Sequence, residues 1–349
     1  MNPPVEKSSL IRLLSRPHTL CLFAAFVFFV IACACVAQGK GGGTSLASVP
    51  QSKSFELKTA LETHPPHLLQ KARATARPEP APVRHAGPYP PDITRGGREG
   101  MEVAITFDGG AGEAREAGEI LDALKDRGIK ATLFLTGEFI KENPDIARRI
   151  VLEGHEVGNH TMTHPHLTEY ARTFTHRTLD GVTPTALRGE LEGAASLFRE
   201  ITGREMAPLW RAPYGEVNGE IRQWAWEAGY VHIGWTADYA SRESLDTLDW
   251  VNDRNSRLYR SSTEIKERIL AFGRDGDALR GGIILMHLNT GRTRDRAADV
   301  LGEMLDGLTG RGYRFVKVSA LMAGNPYLRE AQGKRSAQVA SAGAGLSHR

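Results

Sequence analysis

Six ionisable or metal-competent side chains stand just after short apolar runs in this sequence. Asp108 follows VAITF, His160 and His164 follow HEVGN, Arg211 follows APLW, Asp238 follows YVHIGWT, and His287 follows GGIILM. Carboxylates, imidazoles and a guanidinium are the types used for proton transfer and metal binding. Singly, each signal is weak. An aspartate after a strand is commonly a turn former, a His-x-x-x-His pair arises readily by chance, and a lone buried histidine is usually a satisfied core residue. Five apolar runs ending the same way carry more weight than any one of them. All three cysteines, Cys21, Cys33 and Cys35, lie near the N-terminus, so a metal site farther along must use histidines and carboxylates.

The elements that must hold these residues alternate between strand-like and helix-like. MEVAITF, ATLFLT, HEVGN, APLWR, YVHIGWT and GGIILMH read as strands. AREAGEILDALKDRG reads as a helix with Ile120, Leu121 and Leu124 on one face and Gly128 as its stop. NPDIARRIVLEG, TALRGELEGAASLFREITG, EIRQWAWEAG, STEIKERILAF and RAADVLGEMLDGLTGRG supply further helices, and YRFVKVSALM closes the region. Such β-α alternation over residues 99–325 predicts an α/β domain of parallel strands with helices outside. About seven repeats fit a parallel (β/α) barrel better than an open sheet. In such a barrel the C-terminal strand ends share one rim, which brings residues distant in sequence into one pocket.

The flanks differ from this domain. The chain has 349 residues and a formal charge of +3, but residues 99–325 carry −7, while 1–38, 39–98 and 326–349 carry +2, +5 and +3. A nucleic-acid reader carries its basic surface on the folded domain, so no nucleic-acid partner is expected. Residues 1–38 contain TLCLFAAFVFFVIACACVA, 19 residues without a charge, preceded by Lys7, Arg12 and Arg16. That pattern predicts a signal peptide or a transmembrane anchor, or a lipoprotein signal ending near Cys33. Each of these exports the rest of the chain and makes the bacterial membrane its neighbour. Residues 39–98 hold nine of the 18 prolines and read as a largely disordered linker. Residues 326–349, rich in Ala, Gly, Ser and Arg, read as a disordered tail.

Taken together, the motifs resemble the polysaccharide deacetylases, carbohydrate esterase family four, over about residues 100–323. TFDGG at 106–110 is similar to the family's T-F-D-D-G, HTMTH at 160–164 to H-[ST]-x-x-H, and RAPYG at 211–215 to R-x-P-[YF]-G. LDW at 248–250 resembles D-x-x-D-W more diffusely, and LMH at 285–287 resembles the closing L-x-H. The resemblance implies a distorted parallel barrel and metal-dependent hydrolysis of N-acetyl groups on amino sugars of a polysaccharide. It implies that His160 and His164 hold a divalent cation, typically zinc, with cobalt or another divalent ion as alternatives. By the same resemblance Asp108 is the general base, Arg211 holds it ionised, and His287 is the general acid. Asp249 orients His287, with Asp238 as the alternative. Tyr214 supplies an oxyanion-binding N–H, with Pro213 and Trp250 beside the substrate. Trp210, Trp235 and Trp250 either stack on sugars or pack in the barrel.

One position departs from the pattern. The family's second aspartate, a metal ligand, is Gly109 here. Three outcomes follow: water completes the site, Glu113 or Asp238 reaches in, or metal and activity are lost. The last would leave a catalytically weak carbohydrate-binding protein on the same fold. Asp108, Arg211 and His287 all remain, which favours the enzyme. The segment 170–184 and the loop from Ser241 to Ser262 are expected to shape substrate choice.

Overall fold

The structure, a computed structural model, describes residues 89–112, 114–238, 243–272 and 278–344. The expected export segment, most of the linker, and Glu113 lie outside the described residues. Among the described residues no helix is long and apolar enough to cross a membrane.

The domain is an α/β fold on a mostly parallel sheet. Strand β1 (Glu102–Gly109) is followed by α1 (Arg115–Asp126), β2 (Thr132–Leu135), α2 (Gly137–Glu142), α3 (Pro144–Leu152) and β3 (Glu156–Asn159). Then come α4 (Tyr170–Thr173), α5 (Pro184–Thr202), β4 (Leu209–Trp210), α6 (Gly219–Glu227) and β5 (Val231–His232). The short strands β6 (Ala237–Asp238) and β7 (Glu243–Ser244) precede α7 (Ser262–Ala271), β8 (Gly282–His287), α8 (Ala298–Gly310) and β9 (Arg314–Phe315). Helices α9 (Val318–Leu321) and α10 (Pro326–Ala344) end the described chain.

Local sequence explains the helices. In α1, Ala117, Ile120, Leu121 and Leu124 are buried at helical spacing against the sheet. Helix α5 begins where the Thr183 side chain accepts Ala186 N–H, carries Pro184 in its first turn, and stops at left-handed Gly203. Helix α7 opens with a reciprocal capping box between Ser261 and Glu264. The strands sort their faces by alternation. Val103, Ile105 and Phe107 of β1 join the helix-side core, while Thr106 and Asp108 face Arg211.

The strand order is β5-β4-β3-β2-β1-β8, all parallel, with β9 also on β1. The expectation of about seven equivalent repeats is thus met only in part. The strands β4 and β5 are two residues each, and β6–β7 is a separate antiparallel hairpin. The gap between β5 and β8 is joined by a segment assigned to the linker. Ile93 bridges Ile233 and Arg95 bridges Gly282. Arg95 Nη1 donates to the carbonyls of Ala278 and Arg280, and Thr236 Oγ1 donates to the Thr94 carbonyl. The folded domain therefore includes residues before 99, because their backbone pairs with both edges.

The expected disordered tail also differs. Helix α10 buries Leu328, Ala331 and Arg335 along one side. Arg335 lies over the Tyr230 ring and donates to Glu192, and Lys334 lies over the Trp226 ring. Composition alone hides this, because the anchoring residues are cations that bind through ring faces and aliphatic stems.

If residues 89–98 belong to the domain, Ile93→Ala costs about 2–5 kcal/mol, as for other buried isoleucines, read as a lower urea midpoint. An unchanged midpoint would return this segment to the linker.

Candidate active site

Parallel pairing alone puts two of the candidate residues side by side. In the β1–β8 register Asp108 is opposite His287. The neighbouring strand ends deliver His160 after β3 and Arg211 after β4.

Arg211 is completely buried. Its Nη1 donates to Asp108 Oδ1 at 2.7 Å and to Thr106 Oγ1 at 3.0 Å. Its Nε and Nη2 donate to the carbonyls of Ile233 and Gly234 at 3.0 and 3.1 Å, and the guanidinium lies 4.3 Å from the Phe134 ring centre. Burial by itself would raise the Asp108 carboxyl. The Arg211 charge, then those of His160 and His287, outweighs it and holds Asp108 below its ordinary value. Asp108 is an ionised carboxylate in a nearly dry site.

His287 is the opposite case. Its Nδ1 is 2.7 Å from Asp249 Oδ1, and its backbone N–H donates to Asp249 Oδ2 at 2.9 Å. Burial would lower the imidazole, but the Asp249 charge and hydrogen bond, with Asp108 and Asp246, raise it to about 9. At neutral pH an ionised base and a protonated acid thus stand on adjacent strand ends. Asp249, not Asp238, is the partner of His287. Asp238 lies in the β6–β7 hairpin, where its charge acts on Arg95.

His160 and His164 converge through their Nε2 atoms, 3.2 Å apart. His160 Nδ1 donates to the Arg211 carbonyl at 2.8 Å, which leaves its Nε2 with a lone pair. Burial holds both imidazoles below their ordinary value, His164 at about 3, so both are neutral donors. The loop between them is tightly built. Asn159 Oδ1 accepts Thr161 N–H, and the Glu190 carboxylate accepts the N–H groups of Met162 and Thr163. Thr161 and His164 have left-handed backbones, with φ of 69° and 56°, a strain that the loop contacts sustain.

These two nitrogens fit a divalent cation. Zinc–nitrogen bonds of about 2.0–2.1 Å would span 3.2 Å at an angle near tetrahedral. Asp108 Oδ2 lies beside them, 3.6 Å from His160 Nε2. Among the described residues no group of three His, Cys, Asp or Glu side chains forms a metal cage. Gly109 shows why its position adds no donor. A Cβ there would come within 2.9 Å of Leu135 Cδ2 and 3.0 Å of Phe139 Cδ2. Apolar side chains fill the place a larger residue would need. The glycine loop beyond is tied by Asn289, which donates to the carbonyls of Gly110 and Ala111.

Tyr214 sits in a tight turn, Pro213–Gly215, with φ of 57°. The turn is locked from behind by Glu216, which is buried and accepts the N–H groups of Leu167 and Thr168. The other Glu216 oxygen is 2.8 Å from His166 Nδ1, and the His166 ring stacks on Tyr214 at 4.1 Å. Of the three tryptophans nearest the motifs, Trp210 is fully buried in a core cluster with Leu191 and Tyr230, while Trp235 and Trp250 are half-buried. Trp235 covers Gly215, and Trp250 bonds Asp246.

Sequence reading missed the residues that hold the loops: Asn159, Glu190, Glu216 and Asp246. Asn159 directly precedes HTMTH, Asp246 stands two residues before LDW and Glu216 directly follows RAPYG, so only Glu190 lies away from every motif.

Known proteins resemble this chain over much of the domain. The sequence model of the polysaccharide deacetylases matches residues 95–233. A peptidoglycan-N-acetylglucosamine deacetylase of Bacillus cereus is 31% identical over 221 residues, covering 63% of this chain and 68% of that protein. A peptidoglycan-N-acetylmuramic acid deacetylase of Bacillus subtilis is 28% identical over 221 residues, covering 63% of this chain and 71% of that protein. Among solved structures, a mutant with restored enzymatic activity of a CE4 family pseudoenzyme from Bacillus anthracis superimposes with a TM-score of 0.53. It is 26% identical, covering 66% of this chain and 71% of that one.

Two outcomes follow from the geometry. The stabilisation that His287 gains in the fold is present in full below its unfolded value of about 6.5. It is lost as pH rises through about 9. NMR titration should give a His287 midpoint near 9, falling toward the ordinary value in Asp249→Asn; equal midpoints would remove Asp249 as the cause. Gly109→Ala should lower stability by about 1–3 kcal/mol through overpacking. Gly110→Ala, where a Cβ meets nothing within 4 Å, should change it little. Equal denaturation midpoints for the two variants would show that Leu135 and Phe139 yield freely.

Proposed function

Because the chain belongs to the polysaccharide deacetylase family, we propose that it hydrolyses N-acetyl groups from amino sugars of a polysaccharide, peptidoglycan or chitin-like. The observation that carries this reading is the pairing of ionised Asp108 with protonated His287 on adjacent strand ends, beside two neutral imidazoles. His160 and His164 would hold a divalent cation, zinc or cobalt, which when bound polarises the acetyl carbonyl and acidifies water.

This chain's own residues do the rest. Asp108 takes a proton from water as the oxygen attacks the acetyl carbon. Arg211 keeps Asp108 ionised and aimed, since its fork is fixed by two backbone carbonyls. The Tyr214 backbone N–H, held in its turn, stabilises the oxyanion of the tetrahedral intermediate. His287 then delivers its proton to the amide nitrogen as the C–N bond breaks, giving acetate and a free amine. Asp249 holds His287 by two hydrogen bonds and keeps it protonated for that step. Pro213 shapes the turn that presents Tyr214, and Trp250 is the proposed sugar contact near the acid. The apolar run Thr19–Ala37 and the basic residues before it support export of this domain, as a secreted or membrane-anchored protein at the cell envelope.

A second reading, a catalytically weak glycan-binding protein, is favoured by Gly109 alone. The site offers two imidazoles where catalytic zinc sites commonly have three protein ligands.

Acetate release from N-acetylglucosamine oligomers and from purified peptidoglycan, with and without Zn²⁺ or Co²⁺, decides between them. Activity should require the cation, fall about 10²–10⁴-fold in Asp108→Asn, and vanish in His160→Ala. Glycan binding without acetate release under any metal would establish the second reading instead.

A further inference from the structure

The peptide group between Arg211 and Ala212 is engaged on both faces. Its carbonyl oxygen accepts His160 Nδ1–H at 2.8 Å. Its N–H, belonging to Ala212, donates to His232 Nε2 at 3.2 Å. For His232 Nε2 to accept, the ring proton must sit on Nδ1. That Nδ1 faces Asp92 Oδ1 at 2.8 Å. Four groups therefore form one chain: the Asp92 carboxylate, the His232 imidazole, the 211–212 peptide and the His160 imidazole.

Each member is fixed in place. His232 is buried on β5, with Trp210 packed edge-on at 5.1 Å between ring centres. Asp92 can approach because position 234 is glycine. A Cβ there would meet Thr94 Cγ2 at 3.0 Å and Asp92 Oδ1 at 3.3 Å. The preceding peptide group is anchored as well, through Arg211 N–H, which donates to the Asn159 carbonyl at 2.9 Å.

We propose that Asp92 and His232 are positioning residues which, through the 211–212 peptide, orient His160 and strengthen its Nε2 as a metal donor. The physical basis is directional. A negative carboxylate polarises the His232 N–H, which makes Nε2 a better acceptor. The peptide N–H then shifts electron density toward its own carbonyl oxygen, and that oxygen draws harder on the His160 proton. Hydrogen bonds in series polarise one another in this sense. A carboxylate or carbonyl behind a metal-bound histidine is known to fix its tautomer and raise its basicity. Here the carboxylate acts at two removes, through a backbone amide. Were Asp92 absent, His232 could place its proton on Nε2, facing the Ala212 N–H donor to donor. The peptide would then tilt, and His160 with it.

The inference rests on the reading of His160 as a metal ligand, so its test includes a measurement on metal-free protein. Zinc affinity of the full chain is measured by competition with a chelator for wild type, Asp92→Asn, His232→Gln and the double variant. The His160 ring-proton shift and the unfolding midpoint are read without metal. Asp92→Asn, at a partly exposed position, should keep the wild-type midpoint. It should move the His160 Nδ1–H resonance and weaken zinc binding about tenfold, the lower end for partners of metal-bound histidines. The double variant should bind no more weakly than His232→Gln alone, as members of one series must. Unchanged resonance and affinity in Asp92→Asn would overturn the relay, as would additive losses in the double variant. A wild-type protein that binds no zinc, with the His160 resonance still shifting in Asp92→Asn, would remove the metal reading and leave the positioning role standing.

Discussion

The constraint from which the site follows is the burial of a single positive charge. Arg211 has no exposed surface. A guanidinium taken fully from water is tolerated only with a carboxylate partner and acceptors for its remaining N–H groups. Asp108 supplies the carboxylate from one strand end. Ile233 and Gly234 supply carbonyls from beyond β5, and Thr106 supplies a hydroxyl. Those contacts fix where three strand ends stand relative to one another. Breaking such a pair by removing one member costs about 3–5 kcal/mol, so the charge pair that tunes Asp108 also holds the rim in shape. The His160 bond to the Arg211 carbonyl extends the same anchor to the imidazole pair.

The positions at the strand ends were legible in the sequence because they obey simple rules. A strand of alternating apolar residues ends, and its last side chain lands on the rim; parallel pairing aligns such ends. That logic reached Asp108, His160, His164, Arg211 and His287, and the motif resemblance added Tyr214 and Asp249. It failed where positions are set by contacts between residues with no shared period. Asp92 lay in a proline-rich stretch and His232 in a plain strand, and nothing in either signals the other. Glu190 and Glu216 act by accepting backbone N–H groups of distant loops, which no side-chain pattern encodes. The two-residue strands β4 and β5 read longer in sequence because apolar residues continue past the last ladder bond into irregular backbone. The C-terminal helix was hidden because Arg335 and Lys334 bind ring faces while composition counts them as solvent-loving.

Gly109 illustrates the difference between a missing group and a changed environment. Read as a string, the position lacks a ligand. In three dimensions Leu135 and Phe139 approach so closely that a Cβ would press on both. The glycine, the leucine and the phenylalanine form one apolar unit under the strand end. Asp108 beside it faces the other way, toward Arg211, and keeps its own partners. The loss of a donor at one residue and the retention of the acid–base pair are thus separable, because adjacent residues of a strand serve opposite faces.

The closure at Ile93–Arg95 has a kinetic consequence. Arg95 bonds the carbonyls of Ala278 and Arg280, 183 and 185 residues later in the chain. Contacts of such separation form late, since the loop they close must first be ordered. A chain emerging N-terminus first exposes this segment long before β8 exists to receive it. The helices and the early strands, whose partners are near in sequence, can assemble while it waits. His287 arrives on that same late strand. The seam at Arg95 and the placing of His287 beside Asp108 thus depend on the same late stretch of chain, and a chain that has not yet emerged past β8 has neither.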